Sequence, residues 1–344
     1  MRKDPFRLHK LALAPFLESD QPVDFPALLF EADKDRSNDF LQFLIFNGMA
    51  PLWHDALINS PQGNEIDADF LEKLRQVRLT AEANYLMQKK TLQKVHETLT
   101  SAGINYAVFK GVHIRELVYE NPAMRPCTDI DVLVSNHDRV AAIHALDNIG
   151  MEYRPVAKNI SHEATLVDGP IHVDLHWHIM RPSRMRVDMT ESLLDNAKIN
   201  NGFLGLRDES SIFVMLVHPA FTKHVCNPHA TLIRIVDLIR WIQFRSVVWE
   251  DIFELCEKAG VKTAAWATMY WAYLLTKNEV LGKHISCLAP NKIQRKYLEY
   301  CISNNLPTKL VTQKQLVRFM FSLTIHDSLK DCMRVLKISS SPDR

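Results

Sequence analysis

The stretch RPCTDIDVLV, residues 125–134, decides what kind of fold this chain adopts. Its second half, DIDVLV (129–134), is rich in the branched apolar residues that are typical of a buried strand. Asp129 and Asp131 nevertheless lie within that run. Because strand side chains alternate between two faces, both carboxylates point to the same side of the strand. Two like charges so close together raise each other's pKa and resist burial, so the pair needs a compensating partner.

Four segments around this strand predict an α/β core. In chain order they are a strand at NYAVF (105–109), a short helix at GVHIRELVY (111–119), a helix at NHDRVAAIHALDNIG (136–150) and a hairpin at ATLVDGPIHVDLHWHI (164–179). The helix after DIDVLV has Ser135 or Asn136 as its expected N-cap and Gly150 at its end. The hairpin is expected to turn at Asp168-Gly169.

The regions on either side of this core have helical periodicity. The longest candidate helix is residues 67–103, whose apolar positions form one stripe and whose last residue, Gly103, is suited to a C-terminal cap. Beyond residue 208, apolar residues again recur at helical spacing. We therefore expect an α+β protein with a small mixed sheet. Its domains are an N-terminal helical region (1–103), an α/β core (104–200) and a C-terminal helical domain (201–344).

A third carboxylate comes from the second strand of the predicted hairpin. In IHVDLHWHI (171–179), Asp174 shares one face with His172, His176 and His178. Three carboxylates on one sheet face are costly unless cations neutralise them, and Mg²⁺ prefers carboxylate oxygens, waters and phosphates. The histidines leave a zinc or iron site open as an alternative, but residues along one strand spread over too much length for all of them to reach one ion easily.

Composition excludes several classes of protein. The 344 residues are 47% hydrophobic and 24% charged, which is typical of a soluble globular protein with a sizeable core. Lys and Arg (41) nearly balance Asp and Glu (40), so net charge does not favour nucleic acid or an anionic membrane as a partner. The sequence shows no signal peptide, no apolar run long enough to span a bilayer and no CxxC pair among its six cysteines. These features predict a cytoplasmic protein.

The order of these motifs resembles a known enzyme superfamily. Lys110-Gly111 at a strand-to-helix turn, followed by YENPAMRPCTDIDVLV (119–134) and HVDLHW (172–177), is similar to the nucleotidyltransferases of the DNA polymerase β type. More narrowly, it resembles the bacterial family of uncharacterised nucleotidyltransferases. The matching core covers about residues 104–180, and the helical flanks agree more loosely. The resemblance implies a small mixed β-sheet nucleotidyltransferase core that binds an NTP.

The resemblance also implies roles for individual residues. Asp129, Asp131 and Asp174 match the catalytic carboxylates that bind metal, with two Mg²⁺ ions expected in each site. Lys110 and Gly111 stand where most members of the superfamily carry Gly-Ser, so the ammonium group is a candidate phosphate contact at a helix start. Further candidates are listed by role: Arg125 as a second phosphate contact, and His176, His218, His224 and Asp237 as substrate-facing residues. A packing or salt-bridged role for these last four remains open.

The predicted function is transfer of a nucleoside monophosphate from an NTP to an acceptor hydroxyl, with release of pyrophosphate. The acceptor could be a small molecule, a peptide, a protein or an RNA end. Two alternatives stay open. One is a nucleotide-binding or regulatory module without turnover, because Gly-Ser is absent; the other is a metal-dependent hydrolase that uses the histidine-rich strand 172–178.

Overall fold

A computed structural model describes most of the chain. The described residues are 4–18, 21–33, 38–155, 163–181, 183–223, 225, 231–306 and 315–339. Within these ranges the chain forms sixteen α-helices and one seven-stranded sheet. The expected α+β class, with helices before and after a small mixed sheet, is therefore confirmed.

Helices make up the regular structure before the sheet. They are α1 (Arg7–Leu13), α2 (Phe25–Asp33), α3 (Asn38–Phe46), α4 (Ala50–Ile58) and α5 (Ala68–Ser101). The 34-residue α5 begins where the sequence predicts, because the Asp67 carboxylate accepts a hydrogen bond from the Phe70 backbone N–H at 2.9 Å. Gly103, just beyond its end, has φ +67°, which glycine adopts without strain.

The sheet follows α5 and is mixed. Its strands are β1 (Tyr106–Phe109), β2 (Asp129–Val134), β3 (Glu152–Arg154), β4 (Glu163–Asp168), β5 (Ile171–His176), β6 (Lys198–Asn200) and β7 (Phe203–Gly205). Their order is β3-β4-β5-β2-β1-β7-β6. Three helices lie between the strands along the chain: α6 (Lys110–Val118), α7 (Arg139–Asn148) and α8 (Thr190–Leu194).

The register of the two central strands determines where the carboxylates lie. β2 runs parallel to β5 with Asp131 opposite Asp174, and antiparallel to β1 with Asp131 opposite Phe109. β4 and β5 form the predicted hairpin, with Gly169 at φ +61° in the turn. The expectation that the third carboxylate lies on a strand next to DIDVLV is thus confirmed.

Two local predictions need correction. Helix α7 begins at Arg139 with Asp138 as N-cap, and neither Ser135 nor Asn136 caps it. The Ser135 hydroxyl instead accepts a hydrogen bond from the His137 N–H at 3.2 Å and so stabilises a turn before the helix. The short strands β3, β6 and β7 were not predicted, since three residues are too few to show a period of two.

The helices after the sheet pack with those before it. They are α9 (Asp208–Lys223), α10 (Ile233–Phe244), α11 (Trp249–Ala259), α12 (Lys262–Thr276), α13 (Glu279–His284), α14 (Lys292–Ser303), α15 (Gln315–Thr324) and α16 (Leu329–Ser339). One apolar cluster includes Trp53 of α4, Trp241 of α10 and Trp266 of α12, all fully buried. A second cluster joins α5 and α7 to the sheet. None of the helices in the described ranges is long and apolar enough to cross a membrane.

Buried histidines make stability depend on pH. Burial lowers the pKa of His326 from 6.5 to about 4, and neither of its ring nitrogens has a hydrogen-bond partner among the described residues. Between pH 6.5 and 4 the unfolded chain therefore binds more protons than the native chain, so the free energy of unfolding falls as pH falls. At pH 5 this histidine alone should cost about 2 kcal/mol.

We expect His326→Leu to flatten this pH dependence. Leucine fills a similar volume beside Phe221, whose ring centroid lies 5.1 Å from that of the imidazole, and has no group to protonate. Thermal unfolding at pH 7.5, 6 and 5 should show a midpoint loss that is smaller than in the wild type by several degrees. The control His144→Gln, at an exposed position, should keep the wild-type profile. An unchanged loss in His326→Leu would contradict the prediction.

Candidate functional site

Three carboxylates meet on one face of two adjacent strands. Asp129 begins β2, Asp131 follows on the same face, and Asp174 lies opposite Asp131 on β5. One oxygen from each lies within 4.8 Å of the others. The predicted convergence of these three residues is confirmed. The donor set is all carboxylate oxygen, which is the chemistry that fits a hard divalent cation such as Mg²⁺.

Asp131 is the most enclosed of the three carboxylates and already has two partners. The ammonium of Lys110 lies 2.6 Å from its Oδ1, and Nε2 of His176 lies 2.8 Å from the same oxygen. Burial alone would raise the pKa of Asp131, but the Lys110 charge and the hydrogen bond with His176 hold it well below its usual range. Asp131 is therefore ionised at neutral pH.

Asp129 has the opposite electrostatic environment. Burial raises its pKa, and the negative charges of Asp131 and Asp174 raise it further. The Thr128 hydroxyl donates a hydrogen bond to it at 3.1 Å, and the Thr165 hydroxyl donates one to Asp174 at 2.7 Å. A cation at this position would relieve the repulsion that the pairing of Lys110 with Asp131 leaves uncompensated.

The turn that carries Lys110 is unusual. Lys110 is the first residue of α6 and has φ +58°, in the left-handed region that costs a residue with a Cβ about 1 kcal/mol or more. This backbone conformation brings its ammonium to the carboxylates. A Cβ on the next residue, Gly111, would overlap the guanidinium of Arg125, so the close approach requires glycine there.

Arg125 is buried and paired with a carboxylate from the C-terminal helices. Its Nη2 and Nε lie 2.7 and 3.2 Å from the two carboxylate oxygens of Asp237, which is 1% exposed. The Tyr119 hydroxyl donates a third hydrogen bond to Asp237 at 2.8 Å. Asp237 thus forms a salt bridge within the protein, which is one of the two roles that the sequence left open; the other was contact with the substrate. Arg125 still lines the pocket, so its contact with a nucleotide stays a prediction.

The remaining predicted residues fall into three cases. His176 bridges Asp131 and Glu163, with Nδ1 3.3 Å from the latter carboxylate. His218, on α9, lines the same pocket and is described below. His224 lies outside the described residues.

The histidine-rich strand is not a metal centre in the region that the structure describes. Nδ1 of His178 lies 2.7 Å from Asp188, and His172 is exposed. Among the described residues, the three aspartates are the group of three or more potential ligands close enough to hold an ion, and no histidine belongs to it.

A pocket of about 790 Å³ is lined by the carboxylates and by helices that precede and follow the sheet in the chain. Its wall includes Asp129, Asp174 and Lys110 from the sheet side and His218 and Arg234 from the helices that follow. Ligand pockets commonly measure 300–1,000 Å³. Sequence reasoning missed Arg234, although its position three residues before Asp237 places both on one helix face.

Comparison with models of known protein families identifies a match over most of the chain. A family model described as "uncharacterised nucleotidyltransferase" matches residues 33–277, which is more than half of the chain. The match includes all three carboxylates, the Lys110 turn and the helices that carry His218 and Arg234. No curated protein matches the chain.

Proposed function

Because the chain belongs to the family of uncharacterised nucleotidyltransferases, we propose that it transfers a nucleoside monophosphate from an NTP to an acceptor hydroxyl and releases pyrophosphate. The observation that carries this proposal is the carboxylate triad, with ligand oxygens within 4.8 Å of one another in the wall of a pocket large enough for a nucleotide. A mixed sheet that places the triad on two adjacent strands supports it further.

Asp129, Asp131 and Asp174 would hold the metal, which we propose to be two Mg²⁺ ions. Bound there, the ions would neutralise the triphosphate and stabilise charge on the α-phosphate and the leaving group. Asp131 is suited to this role because it stays ionised, and Asp129 because its charge lacks a close basic partner among the described residues. Asp174 would also accept the proton of the acceptor hydroxyl.

Lys110 would supply a positive charge to the phosphates. Its ammonium lies 2.6 Å from Asp131, next to the triad. A small rotation of the side chain would bring it to an oxygen of a phosphate bound there. The N-terminal end of α6 favours the same negative charge. In this proposal Lys110 replaces the Gly-Ser of other superfamily members, and Gly111 allows the chain to pass close to Arg125.

The acceptor class stays open among a small molecule, a peptide, a protein and an RNA end. The nearly balanced charge, 41 basic against 40 acidic residues, does not favour a nucleic acid. The second candidate is a nucleotide-binding module without turnover, which Lys110-Gly111 in place of Gly-Ser favours. Survival of all three carboxylates argues against it, and pyrophosphate release separates the two.

We expect one NTP to raise the thermal unfolding midpoint only when Mg²⁺ is present. A ligand at a hundred times its dissociation constant stabilises the native state by about 2.7 kcal/mol, which corresponds to a shift of roughly several degrees. The experiment compares the four NTPs, with Mg²⁺ and with a chelator, on the wild type and on the double variant Asp129→Asn/Asp131→Asn. The double variant should show no shift that depends on Mg²⁺.

Two results would count against the proposal. Equal shifts in the wild type and the double variant would place the nucleotide away from the triad. If no NTP shifts the wild type, the transferase proposal loses its main support.

A further inference from the structure

The pocket contains a guanidinium that no carboxylate of the described residues contacts directly. Arg234 of α10 lines the pocket, and no carboxylate oxygen in the described part of the chain lies within 4 Å of it. Arg125, by contrast, is paired with Asp237, and Lys110 with Asp131. Arg181 also lines the pocket without such a partner within the described ranges, but it is exposed and therefore hydrated. Arg234 is half-buried, so its charge needs another source of stabilisation.

Three features of its surroundings disfavour a positive charge at Arg234. Burial lowers the pKa of its guanidinium and the nearby charge of Arg125 lowers it further, which together outweigh the opposite effect of the charges of Asp237, Asp131 and Asp129. Arg234 is also the second residue of a 12-residue helix, where the helix dipole is unfavourable to a cation. A positive charge in these surroundings costs stability, and a bound anion would offset that cost.

The contacts of Arg234 leave most of its donors available. Its Nη1 lies 3.3 Å from Nδ1 of His218, and this is its hydrogen-bond contact among the described residues. Since a guanidinium can only donate, Nδ1 of His218 accepts, and the proton of the neutral imidazole lies on Nε2. Burial and the charges of Lys110 and Arg234 keep the pKa of His218 well below its usual value, in agreement with this tautomer. Together the two side chains offer several N–H donors and no acceptor.

The backbone at the start of α10 does not provide the binding groups. The N–H of Leu232 donates to the side-chain oxygen of Asn47 at 3.1 Å, and that of Ile233 donates to the Asn47 carbonyl at 3.2 Å. These bonds hold the helix end against the N-terminal helices and leave the Arg234 side chain to meet a ligand. The anchored backbone means that the guanidinium is positioned before the ligand arrives.

We propose that Arg234 and His218 form an oxyanion subsite that binds a phosphate group inside the pocket, on the side formed by the C-terminal helices. This inference rests on the proposed function, because it assigns a further part of the same pocket. The ligand group is a phosphate with two or more free oxygens, which a planar guanidinium can contact through two donors. Its source is either the β- and γ-phosphates of the NTP or a phosphate on the acceptor.

The experiment measures binding of pyrophosphate, inorganic phosphate and the preferred NTP by isothermal titration calorimetry in the presence of Mg²⁺. The proteins are the wild type, Arg234→Gln, Arg234→Lys and the control Arg240→Gln. Arg240 lies on the same helix but outside the pocket, over the ring of Tyr119. Loss of a charge-assisted pair should weaken binding roughly ten- to a hundred-fold in Arg234→Gln and less in Arg234→Lys, and Arg240→Gln should bind as the wild type does.

The pattern of losses identifies the source of the phosphate. Weaker binding of both pyrophosphate and the NTP assigns the subsite to the leaving group. Weaker binding of inorganic phosphate alone, with unchanged NTP affinity, assigns it to the acceptor. Binding of all three anions at wild-type strength by Arg234→Gln would overturn the subsite.

Two further measurements distinguish a role of Arg234 in binding from a role in folding, and failure of the subsite from failure of the proposed function. Thermal unfolding without ligand should show that Arg234→Gln is at least as stable as the wild type, since a poorly compensated charge is removed; a clear loss of stability would indicate a structural role instead. If the wild type binds pyrophosphate but no NTP, and Arg234→Gln binds pyrophosphate more weakly, the transferase proposal fails while the subsite stands. If the wild type binds the NTP, and Arg234→Gln binds the NTP, pyrophosphate and inorganic phosphate equally well, the subsite fails while the transferase stands.

Discussion

Asp129→Asn is expected to abolish nucleotidyl transfer and at the same time to raise the stability of the metal-free protein. In the native state the pKa of Asp129 is raised by burial and by the charges of Asp131 and Asp174, so its ionised form is a net cost above that pKa. The asparagine oxygen can still accept the hydrogen bond from Thr128. The substitution therefore removes like-charge repulsion and keeps the local geometry.

The loss of transfer follows from the same change. A neutral amide binds a divalent cation far more weakly than a carboxylate does, so charge on the α-phosphate would lose several kcal/mol of stabilisation, or roughly three orders of magnitude in rate. Pyrophosphate release with the preferred NTP measures this loss, and thermal unfolding in a chelator measures the gain in stability.

Asp147→Asn is the matched control for this prediction, because it makes the same chemical change at an exposed position on α7. It should leave both rate and midpoint at wild-type values. Transfer by Asp129→Asn at the wild-type rate would remove Asp129 from the site, and a lower midpoint in the chelator would mean that the carboxylate is structural.

Asp237→Ala is expected to destabilise the protein by about 3–5 kcal/mol, because it leaves the buried guanidinium of Arg125 without its partner. The hydroxyl of Tyr119 also loses its acceptor. The unfolding midpoint should fall by roughly 4–7 °C in a chain of this length. The effect is large because Asp237 is 1% exposed and water cannot replace it.

The double variant Arg125→Met/Asp237→Leu tests whether the unpaired charge of Arg125 causes this loss of stability. Apolar side chains of similar volume remove both charges together, so stability should return to within about 1–2 kcal/mol of the wild type. If the double variant is as unstable as Asp237→Ala, packing rather than the unpaired charge explains the loss. Its pyrophosphate affinity then tests whether Arg125 contacts phosphate, since a recovered fold with unchanged affinity would leave Arg234 as the guanidinium that does so.

Some features of the candidate site could be predicted because they depend on local pattern. The period of two in DIDVLV and IHVDLHW determined which face Asp129, Asp131 and Asp174 occupy, and the structure confirms the strands. The α+β class followed from the change between helical and strand periods along the chain. The predicted N-cap of α7 was wrong because the Ser135 hydroxyl accepts a hydrogen bond within a turn before the helix. Serine is favoured both in such turns and at N-caps, so residue type alone does not distinguish the two roles.

The partners of the charged side chains could not be predicted. Arg125 and Asp237 are 112 residues apart, and the start of the helix that carries Arg234 is hydrogen-bonded to Asn47 of the N-terminal region. Local periodicity determined the strands and the acidic face, since both follow from the alternation of neighbouring residues. Only the tertiary structure decided which basic groups are neutralised and which remains available to a phosphate, because ion pairs form between residues that packing brings together.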